Sequence, residues 1–534
     1  MRTEDSGSNA GLRDSTSGEK ISIWTRSAET PKYPVAPEGL KPDVCVIGAG
    51  ISGLTVAYTL ACRGASVVVV DDGAIGSGET GRTTAHLASA VDDHYHVLEA
   101  LHGEKKARMV AESHTAAIDR ISAIIVREGI ECGFERIPGY LFPAPDEDPG
   151  FLQKEMDAAW RAGLRPEMAA RAPIPMFETG PALKFPGQAQ FHPLRYLAQL
   201  AEAVVRRGGR IFTAHAEAIK GGDNAQVTLK SGRSIHPKSI VVATNVPVNN
   251  LLAMHTKLEA YRTYVIAAHV PEGQLPKALL WDSGDPYHYV RVAGDADNGP
   301  GQDLLIIGGE DHKTGQATDF SARYGNLEMW MRSRYPEAGV IHAKWSGQII
   351  ETVDGLAYIG RNPSDEKNVY IVTGDSGNGL THGTIAGMLI PDLIQGRANP
   401  WEETYDPSRL TFKAAGEFGR NALNMAAQLK GWVKGPETAE EKDILPGTGA
   451  ILKDGLKPVA AYRDEEGNLH KMSAVCPHLK CVVGWNGSER SWDCPCHGSR
   501  FDCRGHVTNG PANSDLAHLE QPAQAAPNAA GSEA

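Results

Sequence analysis

The stretch Asp43-Val-Cys-Val-Ile-Gly-Ala-Gly-Ile-Ser-Gly53 decides the fold of the first part of this chain. Its apolar start predicts a buried strand, which runs directly into a GxGxxG turn. A helical pattern follows over residues 54–63, and a second apolar strand over residues 67–70 ends at Asp71. Strand, glycine turn, helix, strand and acid in this order predict a βαβ unit that binds a dinucleotide.

Each of these residues has a physical task in such a unit. Gly48 permits the tight turn, Gly50 lets the backbone approach a pyrophosphate, and Gly53 allows the helix to pack closely on the strand. The helix N-terminus faces the phosphates because its dipole favours negative charge there. Asp71 is placed to accept hydrogen bonds from ribose hydroxyl groups.

A second glycine-rich segment lies far downstream, where Thr373-Gly-Asp-Ser-Gly-Asn-Gly-Leu-Thr-His-Gly383 follows a strand and enters an apparent helix. With this segment the chain resembles the D-amino acid oxidase and glycine oxidase superfamily up to about Asp406. The resemblance implies an α/β Rossmann-like FAD-binding domain with an interleaved α+β substrate domain. It also implies FAD contacts at Gly48, Gly50, Gly53, Asp71, Gly374, Gly377, Gly379 and Thr381.

Five of the eight cysteines fall between Cys476 and Cys503, and this clustering indicates metal or redox chemistry. Four of these cysteines belong to two stretches of sequence, Cys476-Pro-His-Leu-Lys-Cys481 and Cys494-Pro-Cys-His-Gly-Ser-Arg-Phe501. Two irons bridged by sulfides need four outer ligands, and a Rieske-type 2Fe-2S cluster takes two thiolates and two imidazoles. A structural zinc site is the alternative, since paired Cys and His also suit tetrahedral zinc.

The two stretches resemble Rieske proteins, which implies a small all-β domain at the C-terminal end of the chain. The implied cluster ligands are Cys476, His478, Cys494 and His497. By the same resemblance, Cys481 and Cys496 form a disulfide that joins the two cluster loops, and Gly510-Pro-Ala512 covers the cluster. Within the oxidase superfamily, the members with a C-terminal Rieske domain look closest, on the run Gly81-Arg-Thr-Thr-Ala-His-Leu87.

The densest polar cluster outside these motifs is Trp281-Asp-Ser-Gly-Asp-Pro-Tyr-His-Tyr-Val-Arg291. By resemblance, the substrate lies over the flavin on a sheet that includes this stretch. On a strand, Tyr287, Tyr289 and Arg291 share one face. These candidate catalytic residues could clamp a substrate carboxylate and orient its C–H bond toward the flavin. The alternative is that they are sheet residues satisfied by neighbouring carboxylates.

Composition limits the range of partners. The 534 residues carry a formal net charge of -12 without long like-charge blocks, which argues against nucleic acid and favours a small-molecule substrate. The polar start has no apolar run typical of a signal peptide. Apolar stretches are strand-length, far below the roughly 20 residues of a transmembrane helix. We therefore expect a cytoplasmic protein with no transmembrane segment.

The expected organisation has five parts. They are a flexible N-terminal arm at 1–40, an FAD-dependent oxidoreductase at 41–409, a helical linker at 410–437, a Rieske domain at 438–522 and a disordered tail at 523–534. Apolar residues at helical spacing between Phe418 and Trp432 carry the linker assignment.

The resemblances together imply an FAD-dependent dehydrogenase that oxidises an amine or amino acid C–N bond. Electrons would pass from FAD to the Rieske cluster and on to an external acceptor. Two alternatives stay open at this point. One is a simple amine or amino acid oxidase with a structural or regulatory cluster, and the other is a redox sensor or electron-transfer protein without substrate turnover.

Overall fold

The computed structural model describes residues 21–249, 254–294, 301–363, 365–411, 440–455 and 457–519, together with Gly419 and Asn424. Almost all of the predicted linker at 410–437 and the whole of the predicted tail at 523–534 lie outside the described residues. Both assignments stay predictions. Within the described residues, no helix is long and apolar enough to cross a membrane.

The FAD-binding sheet forms because short runs of β-branched residues are buried on both faces, as in the all-buried strand Val44–Ile47. All neighbouring strands are parallel except the edge strand Tyr358–Arg361. Residue 44 pairs with residue 67 on one side and residue 239 on the other. The spatial order is Tyr358–Arg361, Val369–Thr373, Ser239–Val242, Val44–Ile47, Val67–Asp71 and Arg210–Thr213.

Helices and a small sheet cover this parallel sheet. Four helices pack against one another in its core: Ile51–Cys62, Glu104–Glu128, Pro193–Arg206 and Gly379–Ile394. A three-stranded antiparallel sheet belongs to a second cluster of buried residues with the parallel strands; it contains Ala216–Lys220, Gln226–Leu229 and Ser234–Ile235. The layers leave the carboxyl ends of the parallel strands accessible, where ligands bind in such folds.

The substrate domain is built on a nine-stranded mixed sheet. Its order is Ile341–Thr352, Leu258–Pro271, Gln302–Lys313, His288–Gly294, Leu279–Asp282, Glu135–Phe142, Ala182–Gln190 and His86–Leu87, with Glu167–Ala169 beside Ala182–Gln190. The helix Phe320–Arg334 buries its apolar side chains against this sheet. The remaining helices are Ile23–Arg26, Tyr95–His102, Phe151–Arg161 and Glu402–Tyr405.

The C-terminal part is all-β, as predicted. One sheet contains Gly449–Asp454, Lys457–Arg463 and Leu469–Ser473, and the other contains Gly484–Asn486, Ser491–Asp493, Arg500–Asp502 and Val507–Asn509. Trp492 and Phe501 are fully buried in its core, together with Cys476 and Cys494. The predicted fold class is therefore confirmed for both parts of the chain.

The prediction of a flexible arm is wrong for residues 21–40, and residues 1–20 lie outside the described part. Ile23 and Trp24 begin a short helix and are buried in the oxidoreductase core. The indole Nε1 of Trp24 donates to the Thr83 carbonyl over 2.6 Å. Val35 and Leu40 add isolated bridges to neighbouring strands. These few apolar side chains anchor a segment whose average composition is polar.

Candidate flavin site and iron–sulfur centre

The first glycine turn forms a cradle against the neighbouring strand. A Cβ on Gly48 would lie 2.3 Å from the Ala243 carbonyl oxygen, and its φ of +107° is strained for any other residue. A Cβ on Gly53 would lie 1.9 Å from the Gly48 carbonyl oxygen, so only glycine permits this helix–strand approach. Gly50 caps the helix Ile51–Cys62 and faces the cavity.

The acid at the end of the second strand closes this turn. Asp71 Oδ2 accepts a hydrogen bond from the Ala49 amide over 2.6 Å, and Oδ1 accepts from the Gly73 amide over 2.8 Å. Burial, followed by the charge of Asp72, raises the pKa of Asp71 to about 7. A ligand hydroxyl that donates to this carboxylate would offset part of its desolvation.

The second glycine segment meets the same cavity. Gly377 and Gly379 line it at the N-terminus of the helix Gly379–Ile394. A Cβ on Gly377 would lie 1.7 Å from Asp92 Oδ2. Gly374 and Thr381 do not line the cavity, because Gly374 packs against Thr352 and the Thr381 hydroxyl donates to the Asn378 carbonyl.

The cavity has a volume of about 560 Å³ and contains both glycine turns. Of the eight predicted FAD residues, Gly48, Gly50, Asp71, Gly377 and Gly379 line it, whereas Gly53, Gly374 and Thr381 shape the backbone behind it. Two helix N-termini and bare backbone at the turns suit a pyrophosphate, and Asp71 suits a ribose. The residues therefore fit FAD.

Tyr287 and Tyr289 form part of the wall beyond the glycine turns. Their rings are 5.5 Å apart, and the Tyr289 hydroxyl lies 2.7 Å from Thr263 Oγ1. The His86 ring packs edge-on against Tyr289 at 5.8 Å. Burial, followed by the charge of Arg291, lowers the pKa of His86 to about 3. This imidazole is therefore neutral at ordinary pH.

Buried carboxyl groups cluster at this wall. Asp92, Asp93 and Glu351 line the cavity, and Asp311 lies beside Tyr287 and Thr263. Burial raises the pKa of Asp92 to about 8 and those of Asp311 and Glu351 to about 7, and neighbouring carboxylates raise all three further. Asp311 Oδ1 has no hydrogen-bond partner among the described residues.

Cationic side chains are scarce in the same lining. Among its described residues, Arg82 is the one arginine and no lysine occurs. Arg82 donates to the Ser346 carbonyl over 2.7 Å, and its charged neighbours include Glu489 and Arg500 of the Rieske domain. The carboxyl groups of the tyrosine wall therefore lack an adjacent lysine or arginine in the described lining.

Arg291 does not join the two tyrosines, so the predicted carboxylate clamp is not formed. Its Nη1 donates to the carbonyls of Thr84, Ala85 and Phe191 over 3.1, 2.9 and 3.3 Å. It lines a different cavity, on the side of Trp24. Arg291 lies in the middle of the strand His288–Gly294. Its hydrogen bonds to the three carbonyls hold the guanidinium away from the flavin cavity.

In the Rieske domain, the four predicted ligands lie on two adjacent loops. The thiols of Cys476 and Cys494 contact each other, and the rings of His478 and His497 are 5.1 Å apart. His478 Nε2 and His497 Nδ1 are buried without a hydrogen-bond partner among the described residues. Burial lowers the pKa of both histidines to about 4, so both imidazoles are neutral. Two thiols and two neutral imidazoles fit a Rieske cluster.

The two cluster loops are joined as predicted, because Cys481 and Cys496 form a disulfide across a Cα–Cα distance of 6.4 Å. The Ser499 hydroxyl accepts a hydrogen bond from the Ala512 amide over 3.0 Å. This contact holds the 510–512 loop over the cluster loops. Gly510 and Ala512 also line the flavin cavity, together with Val507, Thr508, Asn509 and Asn513.

The Rieske domain docks on the oxidoreductase through polar contacts. Gln348 Nε2 donates to the Gly498 carbonyl over 3.0 Å, and Asn509 Nδ2 donates to Glu79 Oε1 over 2.9 Å. A Cβ on Gly498 would lie 2.3 Å from the Ala260 Cβ, so the two domains touch directly at the second cluster loop.

A fully buried charge pair lies in this interface. The Ser346 hydroxyl donates to Glu489 Oε1 over 2.6 Å, and Arg262 Nη2 lies 3.9 Å from Glu489 Oε2. Arg262 and Glu489 are both 0% exposed. Burial opposes ionisation of Glu489, but Arg262 and then Arg82 hold the pKa of its carboxyl below the usual range.

The histidine side of the cluster loops faces the oxidoreductase domain. The ring of His255 packs edge-on against His478 at 4.7 Å and lies 5.7 Å from His497. His255 is 2% exposed and precedes the strand Leu258–Pro271. The sequence analysis missed His255, Arg262 and Glu489, because no local motif marks a residue whose partner lies in another domain.

The fold and the two sites define a flavin-dependent oxidoreductase that also carries a Rieske iron–sulfur centre. The FAD dependent oxidoreductase family model matches residues 43–393, and the Rieske [2Fe-2S] domain model matches residues 436–520. The chain belongs to the FAD dependent oxidoreductase family. It binds FAD in the first part and a 2Fe-2S cluster in the second.

Known proteins are similar to the chain over nearly its whole length or over its first part. The chain is 32% identical over 504 residues to the Rieske 2Fe-2S iron-sulfur protein YhfW of Bacillus subtilis, covering 93% of this chain and 97% of that one. It is 25% identical over 385 residues to gamma-glutamylputrescine oxidoreductase of Escherichia coli, covering 68% and 86%. Glycine oxidase from Geobacillus kaustophilus shares the fold, with a TM-score of 0.56, 18% identity and coverage of 70% and 100%.

Proposed function

We propose that this protein is an FAD-dependent dehydrogenase that oxidises the C–N bond of an amine and passes the electrons from FAD to its Rieske cluster and then to an external acceptor. FAD accepts two electrons from a C–N bond, and a Rieske cluster carries one electron at a time. The observation that carries the proposal is the shared position of one loop. Ala512 is hydrogen-bonded to Ser499 of the second cluster loop, and Gly510 and Ala512 both line the flavin cavity.

The orientation of the Rieske domain supports transfer within the chain. His478 and His497 are 9% and 6% exposed and pack on His255 of the oxidoreductase domain. The two imidazoles therefore face protein rather than water. An external partner that needed to touch them would first have to separate the domains, whereas the flavin cavity lies behind a single loop.

The charge of the cavity favours an amine over an amino acid. Asp92, Asp93 and Glu351 face a ligand at the tyrosine wall without a neighbouring lysine or arginine in the described lining. A cationic amine would offset their repulsion and desolvation, whereas a substrate carboxylate would add to them. The E. coli relative bears the name of an amine substrate, gamma-glutamylputrescine, which is consistent with this charge pattern.

The residues of the wall have separate tasks in this proposal. Asp92 and Glu351, which line the cavity, bind the ammonium group, and Asp311 adds its negative charge from behind Tyr287. The rings of Tyr287 and Tyr289 hold the apolar part of the amine against the flavin side of the cavity. Neutral His86 packs behind Tyr289 and keeps its ring in place. The pKa values near 7 to 8 let the carboxyl groups take a proton when the amine loses one.

An anaerobic titration tests the proposal. Purified holoprotein is mixed without oxygen with diamines, monoamines and amino acids, while visible and low-temperature EPR spectra are recorded. We expect a cationic amine to bleach the flavin and to produce the rhombic signal of the reduced cluster in step. Bleaching without that signal would contradict transfer to the cluster, and bleaching only by amino acids would contradict the amine assignment.

A His478→Cys variant serves as the matched control for the route. It exchanges one predicted imidazole ligand for a thiolate, so the cluster should lose its Rieske spectrum while the flavin is still bleached by the same amine. The turnover of an added one-electron acceptor should then fall with the cluster signal. Unchanged acceptor turnover would show that electrons leave from the flavin directly.

A further inference from the structure

A second cavity of about 450 Å³ lies further along the same face of the strand that carries Tyr289. Its described lining includes the helix Ile23–Arg26 with the three residues after it and the start of the helix Pro193–Arg206. The strands that contribute are Glu135–Phe142, Ala182–Gln190, His288–Gly294, Gln302–Lys313 and Ile341–Thr352. Trp24, Phe191 and Leu304 give it an apolar floor. The volume is that of a small-molecule site.

The guanidinium of Arg291 is the most buried charge in this cavity. Arg291 is 3% exposed, and it forms no ion pair with any described residue. Its Nη1 donates to three backbone carbonyls, whereas its Nε is buried without a hydrogen-bond partner among the described residues. Burial lowers the pKa of Arg291 to about 9, and the charge of Glu135 opposes this effect.

Other groups around Arg291 make the cavity a polar site with a flat apolar side. The Trp24 ring lies 5.3 Å from the guanidinium carbon of Arg291. Gln190 is 3% exposed, and its Oε1 has no hydrogen-bond partner in the part of the chain that the structure describes. The lining contains three arginines, Arg26, Arg195 and Arg291, against two carboxylates, Glu29 and Glu135, and the Glu135 carboxylate is also paired with Lys277 over 3.0 Å.

We propose that this cavity binds a small organic acid, with its carboxylate on Arg291 and its apolar body against Trp24. Burying an arginine without a carboxylate partner costs free energy because the charge loses its hydration. A carboxylate offsets this cost best, because its two oxygens can accept two parallel hydrogen bonds from the planar guanidinium. The apolar floor favours an organic acid over inorganic phosphate. The site is separate from the flavin cavity and needs neither cofactor nor substrate turnover.

A ligand in this site would affect the flavin cavity through Arg291. Arg291 holds the carbonyls of Thr84 and Ala85, and the next residue, His86, packs against Tyr289. A carboxylate bound to Arg291 therefore contacts a group that also fixes part of the substrate wall.

Calorimetric titration of the holoprotein with benzoate, acetate and inorganic phosphate, at constant ionic strength, tests the proposal. We expect benzoate to bind more tightly than acetate or phosphate. Arg26→Glu at the exposed rim should weaken benzoate binding at least fivefold. Arg291→Lys keeps the positive charge but loses the paired N–H donors of the guanidinium, and it should weaken benzoate binding at least tenfold. Arg171→Glu, an exposed arginine outside the cavity, should leave the affinity unchanged.

The variants separate this site from any benzoate bound over the flavin. Benzoate that binds the flavin cavity would be unaffected by Arg26→Glu and Arg291→Lys. The proposal is overturned if no benzoate binds to the wild-type protein, if both variants bind it as the wild type does, or if phosphate binds as tightly as benzoate. Arg26 is exposed, so its variant tests the site even if Arg291→Lys fails to fold.

Discussion

The interface between the two domains and the substrate end of the flavin cavity both contain buried charges, but they balance them differently. At the interface, Glu489 is matched by Arg262 and Asp493 by Arg500, which lies 3.0 Å away. At the substrate end, burial and neighbouring carboxylates raise the pKa values of Asp92, Asp311 and Glu351, and the charge of Arg323 opposes this only in part at Asp311. Within the balanced set, the pair of Arg262 and Glu489 joins the two domains, and the pair of Asp493 and Arg500 lies inside the Rieske domain. The unbalanced carboxyl groups remain available to a ligand.

The largest expected effect comes from removing one of the predicted cluster ligands, close to the domain interface. Cys494→Ser removes one predicted thiolate, and we expect complete loss of the Rieske EPR signal and of bound iron, with FAD retained. Cys503→Ser is the matched control, since this half-buried cysteine is not among the predicted ligands. A Rieske signal that survives Cys494→Ser would overturn the ligand set, and iron analysis with EPR decides the matter.

The balanced side is tested at Glu489. Glu489→Ala leaves Arg262 buried without its carboxylate, which costs about 3 to 5 kcal/mol of domain stability. We expect an earlier urea transition of the cluster absorbance and slower reduction of the cluster by substrate. The matched variant Glu465→Ala breaks an ion pair with Arg490 at the surface and should cost about 0 to 1 kcal/mol. Equal costs for the two variants would contradict a structural role for the buried pair.

The sequence predicted those features whose residues lie close together along the chain. The glycine turn, Asp71 and the cluster loops each fall within a few dozen residues, and their spacing reflects one local geometry. The carboxyl cluster could not be found in this way, because Asp92, Asp311 and Glu351 come from three distant segments. Tyr289 and Arg291 do lie two residues apart on one strand. The backbone carbonyls around Arg291, which come from other segments, decide which cavity its guanidinium enters.

The unbalanced side is tested by removing one of its charges. Asp311→Asn keeps the shape of the wall but removes a carboxylate, and we expect KM for a cationic amine to rise about tenfold, equivalent to about 1.4 kcal/mol. An exposed control, Asp157→Asn, should leave KM unchanged. Steady-state kinetics over a range of amine concentrations measures the effect. A fall in KM would mean that the carboxylates oppose substrate binding.

The same carboxyl groups predict a pH dependence. Their folded-state pKa values of about 7 lie above the ordinary values, so the folded protein holds protons that the unfolded chain has lost. The substrate-free protein should therefore lose stability as the pH rises from about 4 to about 7. Binding of a cationic amine should strengthen as the pH approaches about 7, because the amine binds the ionised carboxylates. Asp311→Asn should flatten both pH profiles.

The smallest effect concerns Tyr289. Tyr289→Phe removes the hydroxyl that lies 2.7 Å from Thr263 Oγ1 but keeps the ring that packs on His86 and Tyr287. The loss of one such hydrogen bond costs about 0.5 to 1.5 kcal/mol, so a fall of about two- to twelvefold in kcat/KM is expected. Thr263→Val removes the other partner and should have a similar effect, and the double variant should add little to either. If Tyr289→Phe instead abolished turnover while Thr263→Val did not, the hydroxyl would act on the substrate itself, and the wall would contain a catalytic group as well as a binding surface.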